Sequence, residues 1–327
     1  MHSASAAGEA GERLGEAIMR LSDAAELGLG LGAADFDEAF RPFLARWAEP
    51  GDPDWRQALR ERDASMRSKL LRRWLPGFKR ARTDDRIRQE YDKVWSRREF
   101  EKYALDSPAK CPSPWLWNSQ RCFATGIAGT RTRLLLIMRA IETLRPKTVL
   151  EVGSGNGINL ILLSCRFPDV RFHGVELTAE GIQAATGFQK SVETLPEHLV
   201  AFSPLPPRDP AAFRRIEFRQ GTAAALPYDA GSMDLVLTVL ALEQMERIRH
   251  QALSEVARVS GGHTLMVEPF RDCNRAGRRW LNVLARNYFR ARIDDLKAYG
   301  LDPVWATDAF PQEYYLGVCA VLSRKRG

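Results

Sequence analysis

Thr148-Val149-Leu150-Glu151-Val152-Gly153-Ser154-Gly155-Asn156-Gly157-Ile158 is the stretch whose reading decides the fold. An apolar strand runs to Glu151 and Val152, three glycines follow at alternate positions, and a helix is predicted from Ile158 to Phe167. Glycine lets a backbone turn sharply and approach a ligand with no Cβ in the way. The start of the helix adds unpaired N–H groups that favour an anion. A dinucleotide fingerprint reads GxGxxG, whereas this loop reads GxGxG with Glu151 two places before its first glycine. A carboxylate there repels a pyrophosphate and suits a ligand that carries a positive amino group. No Gly-Lys-Ser/Thr follows, so the loop is not a Walker loop.

Outward from this loop, Val170 to Leu177 reads as a second strand that ends on Glu176, an acid placed to accept both hydroxyls of a ribose. Strands are expected at 148–152, 170–175, 215–220, 233–239, 263–268 and 315–322, with helices between most of them. That alternation predicts a mostly parallel sheet covered on both faces. The proline-rich stretch 190–213 is long for a connection and reads as an inserted loop. Before Pro146 the pattern is helical: 12–28, Phe36–Trp47, Asp54–Leu75, Asp84–Leu105 and Arg131–Arg145. Ser107–Thr130, with Cys111-Pro112-Ser113-Pro114-Trp115-Leu116-Trp117-Asn118, reads as irregular. The expected division is a helical appendage over 1–129 and a ligand-binding domain over 130–327.

Composition bounds the classes. Hydrophobic residues make up 45% of the 327, enough for a real core, and no stretch is apolar for long enough to cross a bilayer. The N-terminus lacks the basic and apolar regions of a secretory signal. Five scattered cysteines (Cys111, Cys122, Cys165, Cys273, Cys319) fit reduced thiols in a cytoplasm, and no spacing suggests a metal site. The net charge is +7, and Arg60–Glu99 carries about twice as many basic as acidic side chains. Such a run either attracts an anionic partner or is a solvated helix face.

Five segments in order resemble class I S-adenosylmethionine-dependent methyltransferases. Glu151 to Gly157 is similar to their glycine-rich first motif, and Glu176 to their ribose-binding acid. Gly221-Thr-Ala-Ala-Ala-Leu-Pro-Tyr228 is similar to the segment after the third strand. Ser232 to Met245 resembles the fourth-strand motif, and Glu255 to Pro269 the helix, turn and strand that follow. The branch most resembled is the ubiquinone/menaquinone-methyltransferase-like group, methyltransferase type 11, over roughly 130–325. Two positions depart from it: Thr222 stands where Asp is usual, and Gln244 where His is frequent.

The resemblance implies a doubly wound, Rossmann-like α/β sheet of seven strands, the last antiparallel. It implies S-adenosylmethionine as cofactor. Glu151 and Gly153, Ser154, Gly155, Asn156 and Gly157 would hold its methionine part, Glu176 its ribose and Thr222 with Ala223 its adenine, with Leu177 and Leu240 also in the cofactor site. Of the five histidines only His250, after the fourth strand, is a catalytic candidate. Trp115 and Trp117 either cap the site or fasten the appendage, and Tyr314 and Tyr315 either line an acceptor pocket or pack. The expected acceptor is a small molecule in a biosynthetic or tailoring pathway. A nucleic-acid or protein acceptor using the basic region is the alternative, and an inactive binding module a third.

Overall fold

The computed structural model describes residues 29–74, 100–105 and 111–326. The helix expected at 12–28, most of that at 84–105 and most of the basic run lie outside the described residues. The helix expected at Asp54–Leu75 is present as α2, Pro53–Trp74.

Seven strands make the main sheet, in the order β6 (Glu217–Gln220), β5 (Arg171–Glu176), β4 (Thr148–Val152), β7 (Met233–Val239), β8 (Ser260–Glu268), β11 (Cys319–Lys325), β9 (Leu301–Thr307). The first five run parallel, and β11 is antiparallel to both of its neighbours. The six strands expected from sequence are all present within a few residues. The seventh, β9, carries Pro303 and a half-buried pattern, which is tolerable because it lies at the sheet edge.

Alternate residues of each strand feed two cores, one per face. Leu235, Leu237, Leu265 and Val267 pack on one side with the leucines of α3 (Ile127–Leu144) and α4 (Ile158–Arg166). Val236, Met266 and Val321 pack on the other with α7 (Arg249–Val259). Near-total burial of β4 and β7 explains why they read as continuous apolar runs. The chain leaves β4 toward β5 and later returns to β7 on the opposite side, so the crevice at their carboxyl ends is the switch point where ligands bind in open α/β sheets.

The appendage is less helical than expected. Helix α1 (Ala33–Phe40) stops at a 3-10 turn containing Pro42, which has no N–H to continue it, and the chain then forms β1 (Leu44–Trp47). The segment read as irregular is a hairpin, β2 (Ser113–Trp117) and β3 (Gln120–Ala124), closed by Asn118 and Ser119, both with positive φ. Pro114 sits near the start of β2, where its missing N–H is tolerated. β10 (Gln312–Glu313), from the loop between β9 and β11, completes a four-stranded sheet in the order β1-β3-β2-β10. The stretch 190–213 is likewise ordered: α6 (Glu197–Phe202) buries Leu199 and Phe202 in the core, and Arg131 donates to the Phe202 carbonyl.

Candidate active site

The site is built from the ends of β4, β5 and β7. Beyond Val152 the chain turns on Gly153 (φ 78°), whose N–H and that of Ser154 both bond the Val175 carbonyl. A Cβ on Gly153 would lie 2.5 Å from that of Ala241, so the first glycine lets the loop after β4 pass the loop after β7. Gly157 (φ 80°) precedes α4, and its would-be Cβ meets the Phe218 ring at 2.7 Å. Its constraint is packing, and it does not line the cavity described below.

Two acids face this loop. Glu176 Oε2 accepts from the Gly155 N–H (3.0 Å), and Oε1 from the N–H and hydroxyl of Thr178. A carboxylate has about four acceptor directions, so further donors are still accommodated. Thr178 also caps α5 (Ala179–Ser191) by accepting from Gly181, whose own Cβ would strike Glu176. Glu151 is fully buried: Oε1 accepts from Asn159 Nδ2 (2.6 Å) and Oε2 has no partner. Burial, reinforced by repulsion from Glu176, pushes its carboxyl up to about 8.

Sequence reading assigned no role to the acid at the end of β8. Glu268 Oε1 accepts from the N–H groups of Ala241 and Leu242, which fixes the turn after β7. Leu240 enters that turn with φ 51°, a left-handed conformation that costs a branched residue energy and persists because the surroundings impose it. Burial lifts Glu268 to about 8 and neighbouring Glu243 to about 7. The signal for Glu268 was an acid at the carboxyl end of a buried strand.

Glu151, Glu176 and Glu243 open on one cavity of about 350 Å³, which Glu268 does not line. Of the residues singled out in sequence, Glu151, Gly153, Ser154, Gly155, Asn156, Glu176, Leu177, Thr222, Ala223 and Leu240 line it. Thr222 Oγ1 accepts from Ala224 N–H and keeps its own proton to donate. His250 does not line the cavity; it is exposed and bonded to the Tyr299 hydroxyl. Trp115 and Trp117 are also away from it. Trp115 packs on Phe40, and Trp117 donates to Asp37, so both fasten the appendage. Tyr314 packs edge-on to Trp55, and Tyr315 donates to Leu59 and Asp63 of α2. The cavity wall contains instead Tyr103, Thr130, Arg133, Glu243, Gln244, Met245, Arg247 and Ile248. Most come from α3 and the β7–α7 connection, elements whose side-chain directions no motif reveals.

Residues 150–266 match a family model described as a methyltransferase domain. Among curated proteins there is no match. The [4+2]-cyclase SpnF is similar in fold, with a TM-score of 0.51 and 16% identity over 75% of this chain and 97% of that one. Geranyl diphosphate C-methyltransferase from Streptomyces coelicolor A3(2), solved with Mg2+, geranyl diphosphate and S-adenosylhomocysteine, has a TM-score of 0.45 and 11% identity, covering 73% of this chain and 98% of that one. YcgJ from Bacillus subtilis has a TM-score of 0.43 and 18% identity, covering 59% and 98%. The match over residues 150–266 and the seven-stranded sheet order give this part of the chain the character of a methyltransferase domain with a Rossmann-like fold.

Proposed function

We propose that the chain transfers a methyl group to a small-molecule acceptor, with the methionine part of the cofactor held by Glu151 and the Gly153–Asn156 loop. Glu176 takes the ribose hydroxyls, and Thr222 with Ala223 faces the adenine. When bound, S-adenosylmethionine supplies an electrophilic methyl that passes in line to the acceptor nucleophile, with positioning as the main contribution. One observation carries this reading: the two acids and the glycine loop share a cavity that continues past Leu240 to Tyr103, Arg133 and Gln244. The cavity as a whole, about 350 Å³, is in the range of small-molecule sites. A biosynthetic or tailoring role fits an acceptor of that size.

The test is calorimetric titration with S-adenosylmethionine and S-adenosylhomocysteine, with NAD as control and Glu176→Ala alongside. We expect both sulfur ligands to bind, NAD not to, and the variant to bind about tenfold or more weakly, as for loss of a charged hydrogen-bond partner. Absence of binding by the sulfur ligands overturns the reading. A nucleic-acid acceptor is favoured by the basic residues of α2 and predicts affinity that falls steeply with salt. A binding module without activity predicts cofactor binding and no turnover across acceptor classes.

A further inference from the structure

The turn after β7 sets two hydrogen-bonding side chains next to each other in the cavity wall. Glu243 and Gln244 both line the cavity, and both are about nine-tenths buried. Gln244 Nε2 donates to Glu243 Oε1 (2.6 Å), while Gln244 Oε1 is buried with no partner. The backbone that carries them is pinned. Glu268 accepts from the N–H groups of Ala241 and Leu242, and the Glu243 carbonyl accepts from the Phe289 N–H (3.2 Å). A buried acceptor left unpaired bears its full desolvation cost, so one in a cavity wall marks the place of a ligand donor. A carboxylate has about four acceptor directions and an amide oxygen has two, so the pair suits a group rich in N–H donors. A primary ammonium has three such donors, a positive charge for the carboxylate and no acceptor to repel the amide oxygen.

We infer that Glu243 and Gln244 seat a primary ammonium of the acceptor, so that the acceptor is a small amine with an apolar body and its nitrogen takes the methyl group. This rests on the cavity being the methyl-transfer site. The cofactor brings its own amino group for Glu151 and its own carboxylate for Arg133, which leaves the Glu243–Gln244 pair to the acceptor. The apolar body lies against Leu240, Met245 and Ile248, which line the same space. Burial holds the Glu243 carboxyl up at about 7, against the Gln244 bond and the charges of Arg286 and Arg133. Glu313 and Glu268 add to the rise, and the Tyr288 hydroxyl faces the same group. Near neutral pH Glu243 can therefore take the proton that the ammonium loses before its nitrogen attacks. The N–C bond then forms as the sulfonium S–C bond breaks, its electron pair stays on sulfur, and the product is a methylammonium.

The experiment titrates the full chain, saturated with S-adenosylhomocysteine, with benzylamine and with benzyl alcohol. Saturation keeps the amine off Glu151. Wild type, Glu243→Gln and Gln244→Met are compared. At pH 8 we expect wild type to prefer the amine by about tenfold or more, Glu243→Gln to lose the preference, and Gln244→Met to keep part of it. The wild-type affinity for benzylamine should rise about tenfold from pH 6 to pH 8 as Glu243 ionises, and Glu243→Gln should abolish the rise. The wild-type preference and its pH dependence stand as readouts even if a variant does not fold. Equal binding of amine and alcohol by wild type, a preference unchanged in Glu243→Gln, or displacement of the amine by S-adenosylhomocysteine overturns the inference. Failure of wild type to bind S-adenosylhomocysteine counts against the cofactor reading. The amine preference is then compared between wild type and Glu243→Gln on the free chain, where an unchanged preference overturns the inference as well.

Discussion

Glu151 joins the chemistry of the site to its protonation. With its carboxyl raised to about 8, it holds a proton at pH 6.5 in the free chain, and an incoming ammonium favours the ionised form. Cofactor binding at pH 6.5 should therefore release close to one proton per site, measured as a dependence of the calorimetric enthalpy on buffer ionisation. Affinity should rise as pH climbs toward 8. Glu151→Gln mimics the protonated acid and can keep the Asn159 bond, so it should fold normally, release no proton and bind about 30-fold more weakly or worse. Gly157 makes a contrasting case, since it constrains the loop through packing. Gly157→Ala faces both φ 80° and the Phe218 ring. It should destabilise the chain by about 2–4 kcal/mol in urea unfolding. Glu151 and the glycines were legible in sequence because the motif is local. The contact with Phe218 was not, because it comes from β6, some sixty residues on.

At the scale of elements, the appendage is tied to the domain by strand pairing and by one polar cluster. β10, from the C-terminal part of the chain, pairs with β2, so the appendage sheet is closed only when both ends of the chain are folded. Asp63 of α2 accepts a forked pair of bonds from Arg278 of α8 (Gly277–Arg286) and a third from the Tyr315 hydroxyl. Asp63→Ala removes the acceptor of Arg278 and one of the two acceptors of the buried Tyr315 hydroxyl, and should cost about 1–3 kcal/mol by urea unfolding. None of the three lines the cavity, so S-adenosylhomocysteine affinity should stay within about twofold, which is below the scale of a single lost hydrogen bond. A larger drop in affinity would mean that the appendage shapes the cofactor site. The helices and strands of the sheet domain could be read from hydropathy, whereas the hairpin at 113–124 could not. Pro112 just before it and Pro114 within it argue against a strand, and the pairing that makes it one is supplied by β1 and β10.

The molecule as a whole gathers buried acids around one crevice, and this makes its stability depend on pH. The Glu268 carboxyl binds its proton more tightly folded than unfolded, raised to about 8 from the ordinary 4.5. The native state therefore holds more protons, and this group's contribution is fully present at low pH and lost as pH rises toward 8. The limiting slope is about 1.4 kcal/mol per pH unit. Glu268→Gln removes that slope while its amide oxygen can still accept from Ala241 and Leu242. Relative to wild type, the variant should gain stability steadily from pH 5 to pH 7 in urea titrations. Parallel curves would show that Glu268 is ionised in the folded chain. Taking the difference between the two proteins cancels the opposite slope of His173 and His263, which burial pushes down.

The sequence by itself determined the sheet domain, because apolar runs of strand length, glycines that permit a sharp turn and acids at strand ends are features of contiguous residues. It also narrowed the ligand, since a GxGxG loop with Glu151 before it and Glu176 on the next strand suits an amino group and a ribose, and the resemblance of the five motifs implied S-adenosylmethionine. Tertiary structure alone decided that Glu268 holds the turn after β7, that Trp115 and Trp117 pack within the appendage, and that Tyr314 and Tyr315 bind the appendage to the domain. Each of these depends on which side chains meet across more than twenty residues of chain. Burial and pairing are properties of that meeting, and no local pattern of residues encodes them.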